Sequence, residues 1–352
     1  MCQLSFDWSP YLAAGIERGT RNPEPGTKLS RLDVSALDPP PRLIVNPRAG
    51  HKLGMPTNPA TLPTVEAALT AVGLRFDVEL THSPGHATLL AREAVRDGCK
   101  LVIAAGGDGT VSEASAGLVH TESALGIMPL GSIMNMARTL CIPRDLHGAA
   151  RTIAEGQVLA MDAGTVNDKL FLEAGGVGLT AGLFGYFNRL DRGTRHPQVV
   201  LGAMLRFVRS LRNPRLVIIA DSQRFDVRAP QVTVSNGPYV GAAYVLAPEA
   251  RVDDGLLDVV IFRGMSVMRI LVHTALVAGG RRLPPPPGVQ LVRAQSVDVS
   301  LRRRRRPLPV HADGEVVGAT PAHFQVLPDA LHVIVGNPEG PCAWGPPSEL
   351  PT

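Results

Sequence analysis

Residues 101–118 read LVIAAGGDGTVSEASAGL, and this stretch decides the fold. An apolar run predicts a buried strand, three glycines follow within Gly106–Gly109, and a helix is predicted from Thr110. Glycine lets a backbone approach a ligand closely and adopt positive φ, and a helix N-terminus offers unpaired N–H groups that suit phosphate. Asp108 adds a carboxylate, which is repelled by phosphate unless a cation or a transferable proton mediates. The stretch therefore predicts nucleotide-dependent phosphoryl transfer.

The segments around this loop alternate between apolar strands and helices. Because the strands are continuously apolar, they predict a parallel, doubly wound sheet in an N-terminal α/β domain. The predicted strands are 42–45, 75–80, 100–105 and 124–130, and helices are predicted at about 59–72 and 86–98. Ligands of such sheets bind beyond the carboxyl ends of the strands, where we expect the loops 46–50, 106–110 and 131–135.

The second half of the chain has a different pattern. Short β-rich segments separated by turn residues predict an antiparallel sandwich or barrel, interrupted by helices near 198–211 and 266–279. The expected organisation is a weakly ordered leader, an ATP-binding α/β domain, a β-rich lipid-substrate domain and a tail. The corresponding ranges are 1–40, 41–160, 161–336 and 337–352. Whether the last strands of the lipid-substrate domain pack on the first domain stays open.

Composition excludes several classes of protein. Aromatic residues make up only 4% of the 352 residues, which argues against nucleic-acid binding by base stacking. No apolar stretch reaches the ~18 residues of a membrane span. The four cysteines show neither metal-ligand spacing nor a disulfide framework, which fits a reducing cytosol. We therefore expect a cytoplasmic protein that visits the inner membrane surface.

Further motifs carry polar groups, and each has a plain structural alternative. NPRAG (46–50) is also a strand-ending turn, and Ser132 in PLGSIMNMAR (129–138) is also a helix N-cap. Asp-Asp-Gly in RVDDGL (251–256) and Asp-Gly in DGE (313–315) are also common turn sequences. The residues alone leave these alternatives open.

Taken in order, these segments resemble the diacylglycerol kinase catalytic family of lipid kinases, which includes sphingosine kinases. The resemblance spans about 42–336 and rests on six segments rather than one. They are NPRAG, GGDGTVSEASAGL (106–118), ALGIMPLGSIMNMAR (124–138), MDAGTVNDKLFLEAGGVGLTAGL (161–183), APEARVDDGLLDVVIF (247–262) and VHADGEVVGATP (310–321).

The resemblance implies an ATP- and Mg²⁺-dependent kinase with a cleft between its domains. Asp108 would face the phosphates and magnesium. The residues implied around ATP are Asn46, Pro47, Arg48, Ala49, Gly50, Thr81, Gly107, Asp108, Gly109, Thr110, Val111, Ser112, Glu113 and Ser132. A structural magnesium is implied at Asp254, with main-chain carbonyls of Arg251 and Leu256 as further oxygen ligands.

A lipid hydroxyl needs a base to accept its proton, and the DGE motif supplies two candidates. Glu315 is the preferred assignment and Asp313 the competing one. Residues two apart on an extended strand point to the same face, so we expect both carboxylates to reach one cleft. Segment 171–190, rich in Leu, Phe and Gly, is a candidate lining for the acyl chains.

One loop departs from the family pattern. Where Gly-Thr-x-Asn-Asp is usual, this chain has Gly131-Ser132-Ile133-Met134-Asn135, so a carboxylate is missing at Asn135. This departure keeps a non-catalytic lipid- or nucleotide-binding regulator open as an alternative. A kinase of the NAD kinase type, with a soluble acceptor, is a second alternative, because it shares the GGDGT sequence.

The partners expected from the sequence are a lipid and a membrane surface. The run Arg302–Arg306 is either a solvated edge or a patch that attracts anionic headgroups, at ~1 kcal/mol per basic residue. No nucleic-acid partner is expected, since no accompanying motif is present. A homodimer stays open.

Overall fold

The computed structural model describes residues 29–52, 55–56, 60–191, 213–241, 244–278, 288–303 and 306–336. The helix predicted near 198–211, the tail 337–352, most of the leader, and Arg304 and Arg305 lie outside these residues. The helices are α1 Leu62–Ala71, α2 His86–Arg96, α3 Asp108–Leu118, α4 Asn135–Thr139, α5 Leu146–Glu155, α6 Leu179–Asp191 and α7 Val267–Ala278.

The strands of the first half are β1 Leu29–Arg31, β2 Arg42–Val45, β3 His51–Lys52, β4 Met55–Pro56, β5 Asp77–Leu80, β6 Leu101–Gly106, β7 Ala124–Pro129, β8 Gln157–Val166, β9 Lys169–Phe171 and β10 Ala174–Gly178. Those of the second half are β11 Arg215–Ala220, β12 Gln223–Arg228, β13 Gln231–Ser235, β14 Tyr239–Val240, β15 Tyr244–Val245, β16 Leu257–Phe262, β17 Val289–Ala294, β18 Ser296–Leu301, β19 Pro309–Ala312, β20 Glu315–Ala319 and β21 Ala322–Ile334.

The N-terminal half is a parallel sheet in the order β5-β2-β6-β7, as predicted. Strands β6 and β7 are buried throughout, because helices cover the sheet. Helix α2 ends at Arg96, and Gly98 follows with φ of 86°, the left-handed residue that commonly closes a helix. The three loops expected at the carboxyl edge follow β2, β6 and β7, which are neighbouring strands of this sheet.

The C-terminal half confirms the predicted antiparallel sandwich. Six strands form one sheet in the order β17-β16-β13-β10-β19-β20, and an apolar core joins this sheet to β11, β18 and β21. The run at 289–301, which looks like one long strand, divides at Gln295: β17 belongs to the six-stranded sheet and β18 to the larger sheet. A single apolar run thus links the two layers.

The long strand β21 connects the two halves. It pairs with β18 and β8 in antiparallel register and with β7 in parallel register, so the N-terminal sheet continues into the sandwich. Strand β1 pairs with β8, although it lies within the stretch expected to be a leader. The two halves therefore share one continuous sheet, whereas the β19–β20 hairpin belongs to the six-stranded sheet.

Two local expectations are wrong. Helix α3 begins at Asp108 instead of Thr110, because Gly107 is the extended residue before the first turn. Cys141 is disulfide-bonded, although the cysteine spacing showed no disulfide framework and favoured a reducing cytosol, while Cys99 is free and buried.

Candidate active site

A cleft of about 510 Å³ opens at the carboxyl edge of the parallel strands. Its lining includes eleven of the predicted nucleotide residues, namely Asn46, Arg48, Ala49, Gly50, Thr81, Gly107, Asp108, Gly109, Thr110, Glu113 and Ser132. Glu315, from the β19–β20 hairpin, lines the same cleft. The structure therefore brings the glycine loop and one candidate base to a single cavity.

Three predicted nucleotide residues do not line the cleft. Val111 is fully buried on the inner face of α3. Ser112 is turned toward the hairpin, where its hydroxyl donates to Oδ2 of Asp313 at 3.4 Å. Pro47 is exposed in the turn after β2. Two of these residues therefore belong to α3 and one to the turn after β2, outside the cleft lining.

Side-chain hydrogen bonds fix the first loop against α3. Asn46 Nδ2 donates to Oγ1 of Thr110 at 3.0 Å, and Oδ1 of Asn46 accepts the backbone N–H of Arg48. The N–H of Thr81 donates to the carbonyl of Val45 at 2.9 Å. NPRAG is therefore the strand-ending turn of the plain alternative, and it also forms one wall of the cleft.

The glycines of the central loop serve close approach rather than unusual backbone angles. Neither Gly106 nor Gly107 has positive φ, contrary to the expected use of glycine here. A Cβ on Gly106 would lie 2.4 Å from Thr110, and a Cβ on Gly131 would lie 2.9 Å from the Cα of Gly107. The loops after β6 and β7 thus touch through bare backbone, leaving the N–H groups at the start of α3 open to an anion.

Asp108 ties these two loops together. Its Oδ2 accepts the N–H of Met134 at 2.9 Å, and Met134 has φ of 54°. The plain alternative made Ser132 the N-cap of helix α4. This helix begins only at Asn135, so Ser132 is not its N-cap. Ser132 instead lines the cleft. Burial raises the pKa of Asp108, against the lowering effect of the nearby backbone N–H groups.

The DGE hairpin separates its two carboxylates, contrary to the expectation that both share one face. Asp313 and Gly314 have φ of 43° and 82°, the paired positive values of a tight two-residue turn between β19 and β20. The intervening residues therefore do not form an extended strand. Glu315 is exposed at the cleft, whereas Asp313 points back into the protein.

Asp313 anchors the hairpin to the segment before β10. Its carboxylate accepts the backbone N–H groups of Leu172, Glu173 and Ala174 at 2.7, 2.9 and 3.1 Å. Burial raises the pKa of Asp313 to about 6, although these three donors favour the charged form. Asp313 is thus occupied by backbone donors and is not among the residues that line the cleft.

Glu173 lies in a partly buried group of carboxylates with Asp108 and Asp313, and sequence reasoning missed it. Its Oε2 accepts Nδ2 of Asn135 at 2.7 Å. Burial raises the pKa of Glu173 well above its usual value, and the charges of Asp108 and Asp313 raise it further. The only sequence signal was an acidic residue in the otherwise apolar, glycine-rich LEAGGVG segment.

Helix α6 places the apolar side chain of Phe184 beside the β19–β20 hairpin. The rings of Phe184 and His311 meet edge to face with centroids 5.0 Å apart, and Phe184 lies close to Gly314. On β20, Val316 follows Glu315 and is 45% exposed. Phe184, in the described part of segment 171–190, and Val316 therefore place apolar side chains beside the hairpin.

The RVDDGL turn lies away from the cleft lining. Asp254 is partly buried, its Oδ1 accepts the N–H of Leu256 at 3.1 Å, and burial raises its pKa. The N–H of Gly255 donates to Oδ2 of the buried Asp162 at 2.6 Å, which fixes the turn. A carboxylate with main-chain carbonyls is an all-oxygen donor set and fits Mg²⁺. Among the described residues, no group of three or more His, Cys, Asp or Glu side chains is arranged to hold a metal.

The described members of the arginine run lie at the far end of the large sheet. Arg302 forms an ion pair with Asp226, which also pairs with Arg215. Arg303 and Arg306 are exposed. Within the part of the chain that the structure covers, no helix is long and apolar enough to cross a membrane.

Comparisons with known proteins agree with this geometry. A family model described as "Diacylglycerol kinase catalytic domain" matches residues 40–166, and one described as "YegS C-terminal NAD kinase beta sandwich-like domain" matches residues 181–335. The chain is 28% identical over 306 residues to the diacylglycerol kinase of Bacillus subtilis (strain 168), covering 84% of this chain and 95% of that protein.

Two further comparisons extend this result. A protein of Chromohalobacter salexigens named "Probable lipid kinase YegS-like" is 34% identical over 233 residues, covering 60% of this chain and 70% of that protein. A crystal structure of a diacylglycerol kinase from Bacillus anthracis str. Sterne superposes with a TM-score of 0.65 at 25% identity, covering 85% of this chain and 97% of that one.

The fold and cleft define a kinase with a catalytic α/β half and a sandwich half. The chain belongs to the diacylglycerol kinase catalytic-domain family and is a lipid kinase.

Proposed function

We propose that the chain transfers the γ-phosphoryl group of ATP to a hydroxyl of a diacylglycerol-like or sphingoid lipid. The observation that carries this proposal is the position of Glu315. It is exposed on one wall of the cleft, while the start of α3 and the glycine loops form the other wall. A carboxylate thus faces an anion site across a cavity of about 510 Å³.

Each wall has one part of the reaction. The N–H groups at the start of α3 bind phosphate oxygens, and Asn46, Thr110 and Ser132 add polar groups around them. The lipid oxygen attacks the γ-phosphorus of ATP. The bond between the γ-phosphorus and the β,γ-bridging oxygen breaks, and ADP leaves with the electron pair of that bond. Mg²⁺, when bound, neutralises phosphate charge. The hydroxyl proton passes to Glu315.

Glu315 is preferred over Asp313 as the proton acceptor because its carboxylate is open to the cleft. The oxygens of Asp313 accept three backbone N–H groups and the Ser112 hydroxyl. Releasing Asp313 for proton transfer would leave those donors unpaired, at about 1–3 kcal/mol each. Asp313 therefore positions the hairpin, and Glu315 accepts the proton of the lipid hydroxyl.

A lipid acceptor is supported by the apolar surface beside Glu315. Phe184 and the exposed Val316 flank the hairpin, so an acyl chain could lie there while the hydroxyl reaches the carboxylate. The exposed Arg303 and Arg306 would attract an anionic inner membrane leaflet, to which the protein would bind peripherally from the cytoplasm.

The test compares acceptors with γ-labelled ATP. Diacylglycerol vesicles, vesicles with a sphingoid base, and free NAD are offered separately to the full chain. Label in one of the two lipids supports the proposal. Label in NAD alone identifies the soluble-acceptor alternative, and ATP binding without turnover on any acceptor identifies the regulator.

A further inference from the structure

The β7–α4 loop has Asn135 where the family pattern has a carboxylate, and the side chain of Glu173 from another segment contacts Asn135. Asn135 occupies the place where the family pattern has an acidic residue, and its side chain is 2% exposed. Its Nδ2 donates to Oε2 of Glu173 at 2.7 Å and to the carbonyl of Gly241 at 2.8 Å. A carboxylate from the segment before β10 is therefore in direct contact with the altered position.

The hydrogen bonds of Asn135 explain why an amide is needed here. Both protons of Nδ2 are used, and Oδ1 is buried with no donor among the described residues. An aspartate at this position would set an oxygen against the Glu173 carboxylate with no N–H between them, which is repulsive. Asn135 and Glu173 are thus a matched amide and carboxylate.

Glu173 also contacts the DGE hairpin and lies in the electrostatic field of Asp108. Its backbone N–H donates to Oδ1 of Asp313, which anchors the DGE hairpin. The charge of Asp108, whose Oδ2 accepts the N–H of Met134 in the β7–α4 loop, raises the pKa of Glu173. Glu173 therefore links the altered loop, through its side chain, to the DGE hairpin, through its backbone N–H.

We propose that Glu173 is a positioning residue that replaces the missing loop carboxylate. It holds Asn135 in place by a side-chain hydrogen bond, so the negative charge that the family pattern carries on the loop is supplied from the β9–β10 segment. This inference rests on the proposed function, since the positions it fixes are those of the phosphoryl-transfer cleft. The departure at Asn135 is then a relocation of charge and not a loss.

The test is a cycle of four proteins: wild type, Glu173→Gln, Asn135→Asp and the double variant. Each single variant has the wrong number of carboxylates, and the double variant restores one carboxylate facing one amide. We expect each single variant to lower kcat about tenfold or more, the double variant to recover most of it, and KM for ATP to stay within about threefold. Glu155→Gln, at an exposed site outside the cleft, is the matched control.

Thermal unfolding of the same proteins separates positioning from a structural role. Removing a crowded, desolvated charge relieves repulsion, so Glu173→Gln is expected to unfold at or above the wild-type temperature. The inference is overturned if Glu173→Gln keeps kcat within about twofold. It is also overturned if this variant loses activity and folded stability together, or if the double variant is no more active than Glu173→Gln.

Turnover of ATP without lipid is measured in parallel on all four proteins. If wild type turns over ATP and labels no lipid, the proposed lipid reaction fails, while the cycle is still evaluated on ATP turnover. If wild type labels lipid and Glu173→Gln does so equally well, the inference about Glu173 fails alone. If wild type shows neither reaction, both the proposed function and the inference are contradicted.

Discussion

The two walls of the cleft use opposite chemistry. The loop wall, after β2, β6 and β7, presents glycine backbone and the start of α3, and its loops touch where Gly131 meets Gly107. The hairpin wall presents carboxylates, of which Asp313 is held inside by three backbone N–H groups and Glu315 is left exposed. The loop wall is suited to binding phosphate, and the hairpin wall is suited to accepting a proton.

This difference shows how two carboxylates that are two residues apart in sequence come to face opposite directions. A tight turn at Asp313 and Gly314 directs one carboxylate inward and the other outward. The inward group stabilises the position of the hairpin, and the outward group stays accessible to substrate. Each wall can therefore be perturbed separately.

The largest stability change is expected at the anchor of the hairpin wall. Asp313→Ala should lower the free energy of unfolding by about 3 kcal/mol or more, because three backbone donors lose their acceptor. Chemical denaturation measures the change. Ser112→Ala, which removes only a contact of 3.4 Å to the same carboxylate, should cost less than about 1 kcal/mol. A wild-type midpoint in Asp313→Ala would show that the anchor is unimportant.

A smaller effect is expected on the loop wall. In Gly131→Ala the new methyl group would lie 2.7 Å from Sδ of Met134 and 2.9 Å from the Cα of Gly107, so the two loops must separate. Overpacking of this kind costs about 1–3 kcal/mol, and we expect ATP affinity to fall about tenfold in calorimetry. Gly318→Ala, whose Cβ would meet nothing within 4 Å, is the control. Equal ATP affinity in both variants would contradict the proposed loop contact.

The pH dependence of stability distinguishes two groups of the hairpin wall. Burial lowers the pKa of His311 to about 3 from an ordinary 6.5. As the pH falls, the imidazole is therefore protonated in the unfolded chain before it is protonated in the folded chain, and the free energy of unfolding decreases between about pH 6.5 and 3. The slope from His311 is about 1.4 kcal/mol per pH unit. Asp313, with its pKa raised to about 6 from 3.8, acts in the opposite sense, since stability is lost as pH rises from about 4 to 6.

His311→Asn should therefore make the stability profile less sensitive to acid below pH 6.5. Denaturation midpoints between about pH 4 and 7 measure this slope. The exposed His120→Asn serves as a control that should keep the wild-type slope. An identical profile in the two variants would contradict the burial argument for His311.

The smallest effect is expected outside both walls, at the RVDDGL turn. If Mg²⁺ binds Asp254, it should stabilise wild type by about 1 kcal/mol at a concentration about five times Kd. Asp254→Asn should lose this stabilisation, and Asp253→Asn, whose carboxylate pairs with Arg251, should keep it. Thermal melts with and without Mg²⁺ measure both. An equal Mg²⁺ shift in Asp254→Asn would place the ion elsewhere.

The sequence predicts the loop wall well, because a parallel sheet brings all carboxyl strand ends to one edge. Knowing that NPRAG, GGDG and PLGS each follow an apolar strand was enough to place them together. The start of α3 was missed by two residues, since Asp108 and Gly109 are poor helix formers that are accommodated in the first turn.

The hairpin wall is less predictable because its contacts are distant in sequence. Asp313 binds the N–H groups of residues 172–174, about 140 positions earlier, and no periodicity reports such a contact. The inward turn of Asp313 depends on positive φ at two successive residues, which the Asp-Gly pair suggested without fixing the direction of either carboxylate. Glu173 was overlooked for the same reason.

The central claim is that the exposed carboxylate on the hairpin accepts the proton. Its most direct test is the kcat of Glu315→Gln for transfer from ATP to the lipid that wild type labels, with the ATP Kd measured alongside. We expect kcat to fall by about 10²–10⁴-fold while the ATP Kd and the unfolding midpoint stay close to wild type. A kcat within about threefold of wild type would contradict the account.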